Sequence, residues 1–77
     1  MYPVLIEVTM AESGKKAYIN ANYVTQILPG IMDPENECYI FVQGRPTLRI
    51  TGSASEVYDR ILRESAAVAD RMAVITR

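Results

Sequence analysis

The side chains able to do chemistry in this chain fall into three groups. One is a lone thiol, Cys38, in a chain with no histidine. The commonest general base near neutral pH and the commonest metal ligand are therefore both missing, and nucleophilic catalysis would fall to Cys38 or a serine. Cys38 sits inside the run E-C-Y-I-F-V, where a free cysteine reads as an inert buried thiol rather than a nucleophile. A second group is acidic: Asp33, Glu35 and Glu37 stand at alternate positions. Some cation loops use that spacing, but the EF-hand glycine and the distal bidentate glutamate are lacking, so a solvated loop is the plainer reading. Nothing in the sequence sets the carboxylate separation that glycoside chemistry needs.

The third group is Lys15, Lys16, Arg45 and Arg49 with Tyr18 and Tyr39, the basic and aromatic residues that could share one sheet face. Such a set stacks a base or holds a phosphate, which makes Tyr18, Tyr39, Arg45 and Arg49 the candidate ligand-binding residues. The bland alternative is that they form the solvated face of an antiparallel sheet. Gly44 and Gly52 make no phosphate loop, since neither precedes the required Lys-Ser/Thr. No catalytic residue, metal or cofactor is assigned, and an enzyme is not expected.

Size and charge narrow the field further. A chain of 77 residues is one small domain, and domains this small gain readily from oligomerisation. Eight basic against nine acidic residues leave a net charge of -1; with no long-range field to draw in nucleic acid or anionic membrane, neither is an expected partner. A single cysteine fits a reducing compartment, the first seven residues lack the basic start of a signal peptide, and no apolar run approaches the ~20 residues of a membrane span. The expected location is the cytoplasm.

The elements that must position these residues are legible from periodicity. Residues 4–10 alternate, with Val4, Ile6, Val8 and Met10 on one face. A turn at Gly14 leads to a second strand, residues 16–20, with Ala17 and Ile19 inward. Asn20-Ala21-Asn22 predicts a tight bend or one helical turn. A third strand over residues 23–28 buries Val24 and Ile27 and stops at Pro29-Gly30, and residues 31–37 form an acidic loop or hairpin tip that exposes or tucks away Ile31 and Met32. Residues 37–42 are the strongest strand, and Gln43-Gly44-Arg45-Pro46 turns the chain into a fifth over residues 47–51. The linkers are too short for parallel crossovers, so residues 4–51 predict a five-stranded antiparallel meander, open or curled toward a barrel.

A long C-terminal helix follows, making the fold class α+β with residues 53–75 as helix and tail. Ser53-Ala54-Ser55-Glu56 fits a capping box, with Ser55 as an alternative cap. Ala54, Val57, Ile61, Ser65, Val68, Met72 and Ile75 form one face, and Tyr58, Leu62, Ala66, Ala69 and Ala73 a second apolar row, with charges opposite at Glu56, Asp59, Arg60, Arg63, Glu64, Asp70 and Arg71. Whether residues 73–77 stay helical or leave as an extended tail is open. A helix over residues 55–73 is ~28 Å long, against ~17 to 20 Å for a strand, so it overhangs its sheet. That leaves Leu62, Ala66, Val68, Ala69, Met72 and Ile75 as the expected interface of a homo-oligomer, because monomers rarely keep such a patch wet.

The order of parts, I-E-V-T, G-K-K-A-Y-I-N-A-N-Y-V-T-Q-I, a loop, C-Y-I-F-V and Q-G-R-P-T-L-R-I-T-G-S-A-S-E-V-Y-D-R-I-L, resembles the small FlbD/SwrD-type proteins of bacteria and phages. Matching positions are Gly14, Asn20, Val24, Ile27, Gly44, Ile50, Ser53, Glu56, Val57 and Ile61, spread over residues 4–64. The resemblance implies a strand meander plus helix acting as a non-catalytic accessory, with flagellar motor support as the role of the named members. The acidic loop, Gly52 and the apolar C-terminal extension depart from that pattern. The function expected is a small bacterial or phage accessory protein that self-associates and binds a protein partner; the alternative is a small-ligand or nucleotide-binding, sequestering protein with sites at protomer interfaces.

Overall fold

The computed structural model describes the backbone of residues 4–75 and the side chains of residues 4–67. Strands β1 (Leu5–Thr9), β2 (Lys16–Asn20), β3 (Val24–Pro29), β4 (Glu37–Val42) and β5 (Leu48–Thr51) precede one helix, α1 (Ala54–Ile75). The chain is thus α+β, with strands where the alternation placed them. The expected single meander is instead two antiparallel sheets, β1-β2 and β3-β4-β5. A 3-10 turn, Ala21–Tyr23, separates β2 from β3, capped by the Asn20 side chain accepting from the Asn22 amide. It redirects the chain before the next ladder can begin.

The two sheets touch at an isolated antiparallel bridge between Met10 and Ile50, supported by the Ala11 amide donating to the Arg49 carbonyl at 3.0 Å. In the hairpin, Gly14 adopts φ 69° and the Ser13 hydroxyl accepts from the Lys15 amide. Val4, Ile6, Val8 and Ile19 face inward and are buried. From the other sheet come Cys38, Ile40 and Ile50, all fully buried, and Val42. The helix contributes Val57, 1% exposed, with Ala54 and Ile61 packed at the margin. Burying one such side chain is worth roughly 1.5–3 kcal/mol.

Strand β3 carries an irregularity that its sequence encodes. Val24 and Ile27 both pack on the core, yet a spacing of three cannot put two side chains on one face of a regular strand. The register slips between Val24, opposite Val42, and Gln26, opposite Phe41. Thr25 is the extra residue of a bulge, and its hydroxyl donates to the Phe41 carbonyl at 3.2 Å.

The start of α1 follows the capping pattern: the Ser53 hydroxyl accepts from the Glu56 amide at 3.2 Å. Arg60, expected on the solvated face, is instead half-buried and donates to the Glu7 carbonyl at 2.6 Å. That carbonyl lies on the edge of β1 turned away from β2, because Val4 and Met10 are the residues whose backbones bond β2 and its flanks. The Arg60 guanidinium thereby satisfies a carbonyl on the open edge.

Gly30 is buried where the β3–β4 loop closes. Its amide donates to the Glu37 carbonyl, and a Cβ at this position would stand 2.8 Å from that oxygen. Gly30→Ala should therefore destabilise the fold by about 1–3 kcal/mol, read as a lowered midpoint in urea titration; an unchanged midpoint would contradict the tight closure.

Candidate functional site

The candidate residues divide between two places. Tyr18 and Arg45 line a groove of about 650 Å³ between β2 and the β4–β5 turn, together with Leu5, Tyr23 and Leu48. The turn is closed by the Arg45 amide donating to the Val42 carbonyl at 3.1 Å, with Gly44 at φ 78°, a conformation that a side chain would oppose. Arg45 is thrown outward, exposed. On the other side of the groove, the bonds from the Met10 amide to Lys15 and from the Ala21 amide to Val4 set the phase of the β1-β2 ladder. By alternation, the backbone groups of Lys16, Tyr18 and Asn20 point away from β1, toward the open edge.

Tyr39 and Arg49 are cross-strand neighbours on the outer face of β4 and β5. They line a separate depression of about 420 Å³ with Met10, Glu12, Ser13 and Thr47. The Arg49 guanidinium is flanked by Glu12 and Glu37, each at 3.9 Å. Two carboxylates beside one guanidinium disfavour an incoming anion, so this pair is the poorer phosphate site. The four residues therefore do not converge on one ligand.

Of the neighbouring lysines, Lys16 is also engaged. Lys16 donates to the Glu7 carboxylate at 2.6 Å, and this hydrogen bond, with the attraction that accompanies it, holds Glu7 below its ordinary 4.5 and Lys16 above its ordinary 10.5. Tyr18 donates to the other Glu7 oxygen at 3.4 Å. Of the acidic trio, Asp33 accepts from the Asn36 amide side chain and Glu37 faces Arg49, while Glu35 is exposed. Among the described residues no cluster of three metal-ligating side chains forms.

Along α1 the second apolar row is outward: Tyr58 and Leu62 are 54% and 49% exposed, and Ala66 is exposed. Val68, Ala69, Met72 and Ile75 lie outside the residues whose side chains are described. A groove of about 490 Å³ between β3 and α1, lined by Val24, Thr25, Ile27, Tyr58 and Ile61, was not foreseen. Neither was the cluster Leu5, Tyr18 and Tyr23. Leu5 at an outward strand position was the available signal, an apolar residue where alternation calls for a polar one.

Cys38 is buried in the core, and burial first, then the nearby Glu56 charge, push its thiol above the ordinary 9.0. Ionisation then favours the unfolded chain, so the stability contributed by a neutral thiol is whole below about pH 9 and falls as the pH rises through and beyond it. A thiol reagent at neutral pH should label Cys38 only after unfolding; rapid stoichiometric labelling of the native protein would contradict this burial. Among the described residues no helix is long and apolar enough to cross a membrane. No family model, curated protein or solved structure gives a match to this chain.

Proposed function

We propose that this chain is a non-catalytic accessory protein of bacterial or phage type, acting in the cytoplasm, that self-associates through α1 and offers its sheets and loops to a protein partner. The observation that carries the reading is the outward row on α1. Tyr58, Leu62 and Ala66 stay exposed after the opposite face has buried Val57, and Glu56, Asp59, Arg60 and Arg63 surround Leu62. An apolar strip rimmed by charges of both signs suits a helix pairing with its own copy. The periodicity of the sequence continues this row through Ala69 and Ala73. The resemblance of residues 4–64 to the FlbD/SwrD-type pattern adds weight to an accessory role. On this reading the two sheets work as one curled layer, hinged at Met10 and Ile50.

A second reading, a small-ligand or nucleotide binder, draws support from Tyr18 and Arg45 sharing one groove. Tyr39 and Arg49 stand apart from it and would join only across protomers.

Sedimentation at micromolar concentration should give a mass of at least twice 8.6 kDa, and Leu62→Glu with Ala66→Glu should return it to one chain. A monomeric wild type, or a double variant of unchanged mass, would overturn the helix contact. In a thermal-shift series, nucleotides should leave the melting temperature unmoved under the first reading. Saturation at a hundred times Kd would add about 2.7 kcal/mol under the second.

A further inference from the structure

Ile31 and Met32 are 82% and 90% exposed, more than any other large apolar side chain among the described residues. They sit at the tip of the β3–β4 loop and are followed by Asp33 and Glu35. The Asp33 carboxylate is taken up by Asn36, whereas Glu35 is exposed and its carboxylate has neither hydrogen bond nor ion pair. This loop is an apolar tip carrying one free anion.

The groove between β2 and the β4–β5 turn has the opposite character. Its described lining is largely apolar or aromatic, with Leu5, Tyr18, Tyr23, Pro46 and Leu48, and Arg45 is the one charged residue in it. No carboxylate stands in that lining, and the Arg45 guanidinium is exposed with neither ion pair nor hydrogen bond. The loop enters β4 at Glu37 and the groove opens past its other end, Val42. Six strand residues span ~20 Å, so a loop cannot reach the groove of its own chain.

We propose that loop 31–35 of one copy docks in the Arg45 groove of the next, with Ile31 and Met32 entering between Tyr18, Tyr23 and Leu48 and Glu35 meeting Arg45. Charge complementarity selects the occupant: the groove offers a lone cation on an apolar bed, and the loop offers a lone free anion beside two bare apolar side chains. Because the two surfaces differ, the contact is heterologous and repeats head to tail, closing into a ring or growing as a filament. It is independent of the α1 contact.

The test uses the full chain carrying Leu62→Glu with Ala66→Glu, so that the helix contact contributes nothing, and follows sedimentation from micromolar concentration, where this parent is one chain, up to millimolar concentration. Glu35→Arg and Arg45→Glu should each weaken self-association at least about tenfold, and added salt should weaken the parent likewise. Both positions are exposed with free side chains, so both variants should fold. Mixing the two variants in equal amounts should restore association, because each loop then meets a groove of opposite charge. A mixture that sediments like its separate components, or a parent that stays monomeric up to millimolar concentration, would overturn the proposal.

Discussion

The fold depends on one act of burial. A two-stranded hairpin is at best marginally stable alone in water, and a three-stranded sheet needs something against its apolar face. Here each covers the other: Ile6 and Val8 from β1 meet Ile40 and Ile50 from β4 and β5, and Val57 of α1 completes the cluster. No polar or charged residue is buried among the described side chains. Specificity therefore comes from shape and from backbone hydrogen bonds rather than from a buried polar network.

Those backbone bonds are placed where the ladders stop. Strand β1 is paired on one side by β2, and its other edge is satisfied piecemeal. Arg60 serves the Glu7 carbonyl, the Thr51 hydroxyl approaches the Thr9 carbonyl at 3.5 Å, and the Ala11 amide finds Arg49. The entry to α1 is tied down in the same manner, with the Gly52 amide donating to the Asn36 carbonyl at 2.7 Å and the Ser53 hydroxyl capping the first turn. An unpaired buried carbonyl or amide costs free energy comparable to a lost hydrogen bond, so these single contacts fix how the helix sits on the sheets.

Several large apolar side chains remain outside. Leu5, Tyr18 and Tyr23 flank one groove, Tyr58 another, and Ile31 and Met32 cap a loop. Some of the charges nearby are engaged with one another: Lys16 is committed to Glu7, and Arg49 lies between Glu12 and Glu37.

The elements and their faces follow from local patterns of residue type. Period-two alternation assigned Val4, Ile6, Val8 and Ile19 to the core, Gly14 and Gly44 marked the turns, and Ser53-Ala54-Ser55-Glu56 marked the helix start, because each of these signals is local. Even the β3 bulge was latent in the three-residue spacing of Val24 and Ile27. Long-range packing sets which strands share a sheet, that Tyr18 and Arg45 line one groove while Tyr39 and Arg49 stand apart, and that Arg60 leaves the solvated face to bond β1. The reason is physical: pairing across a break such as Ala21–Tyr23 depends on residues far apart in the chain, and an open edge carbonyl has no signature in the side chains around it.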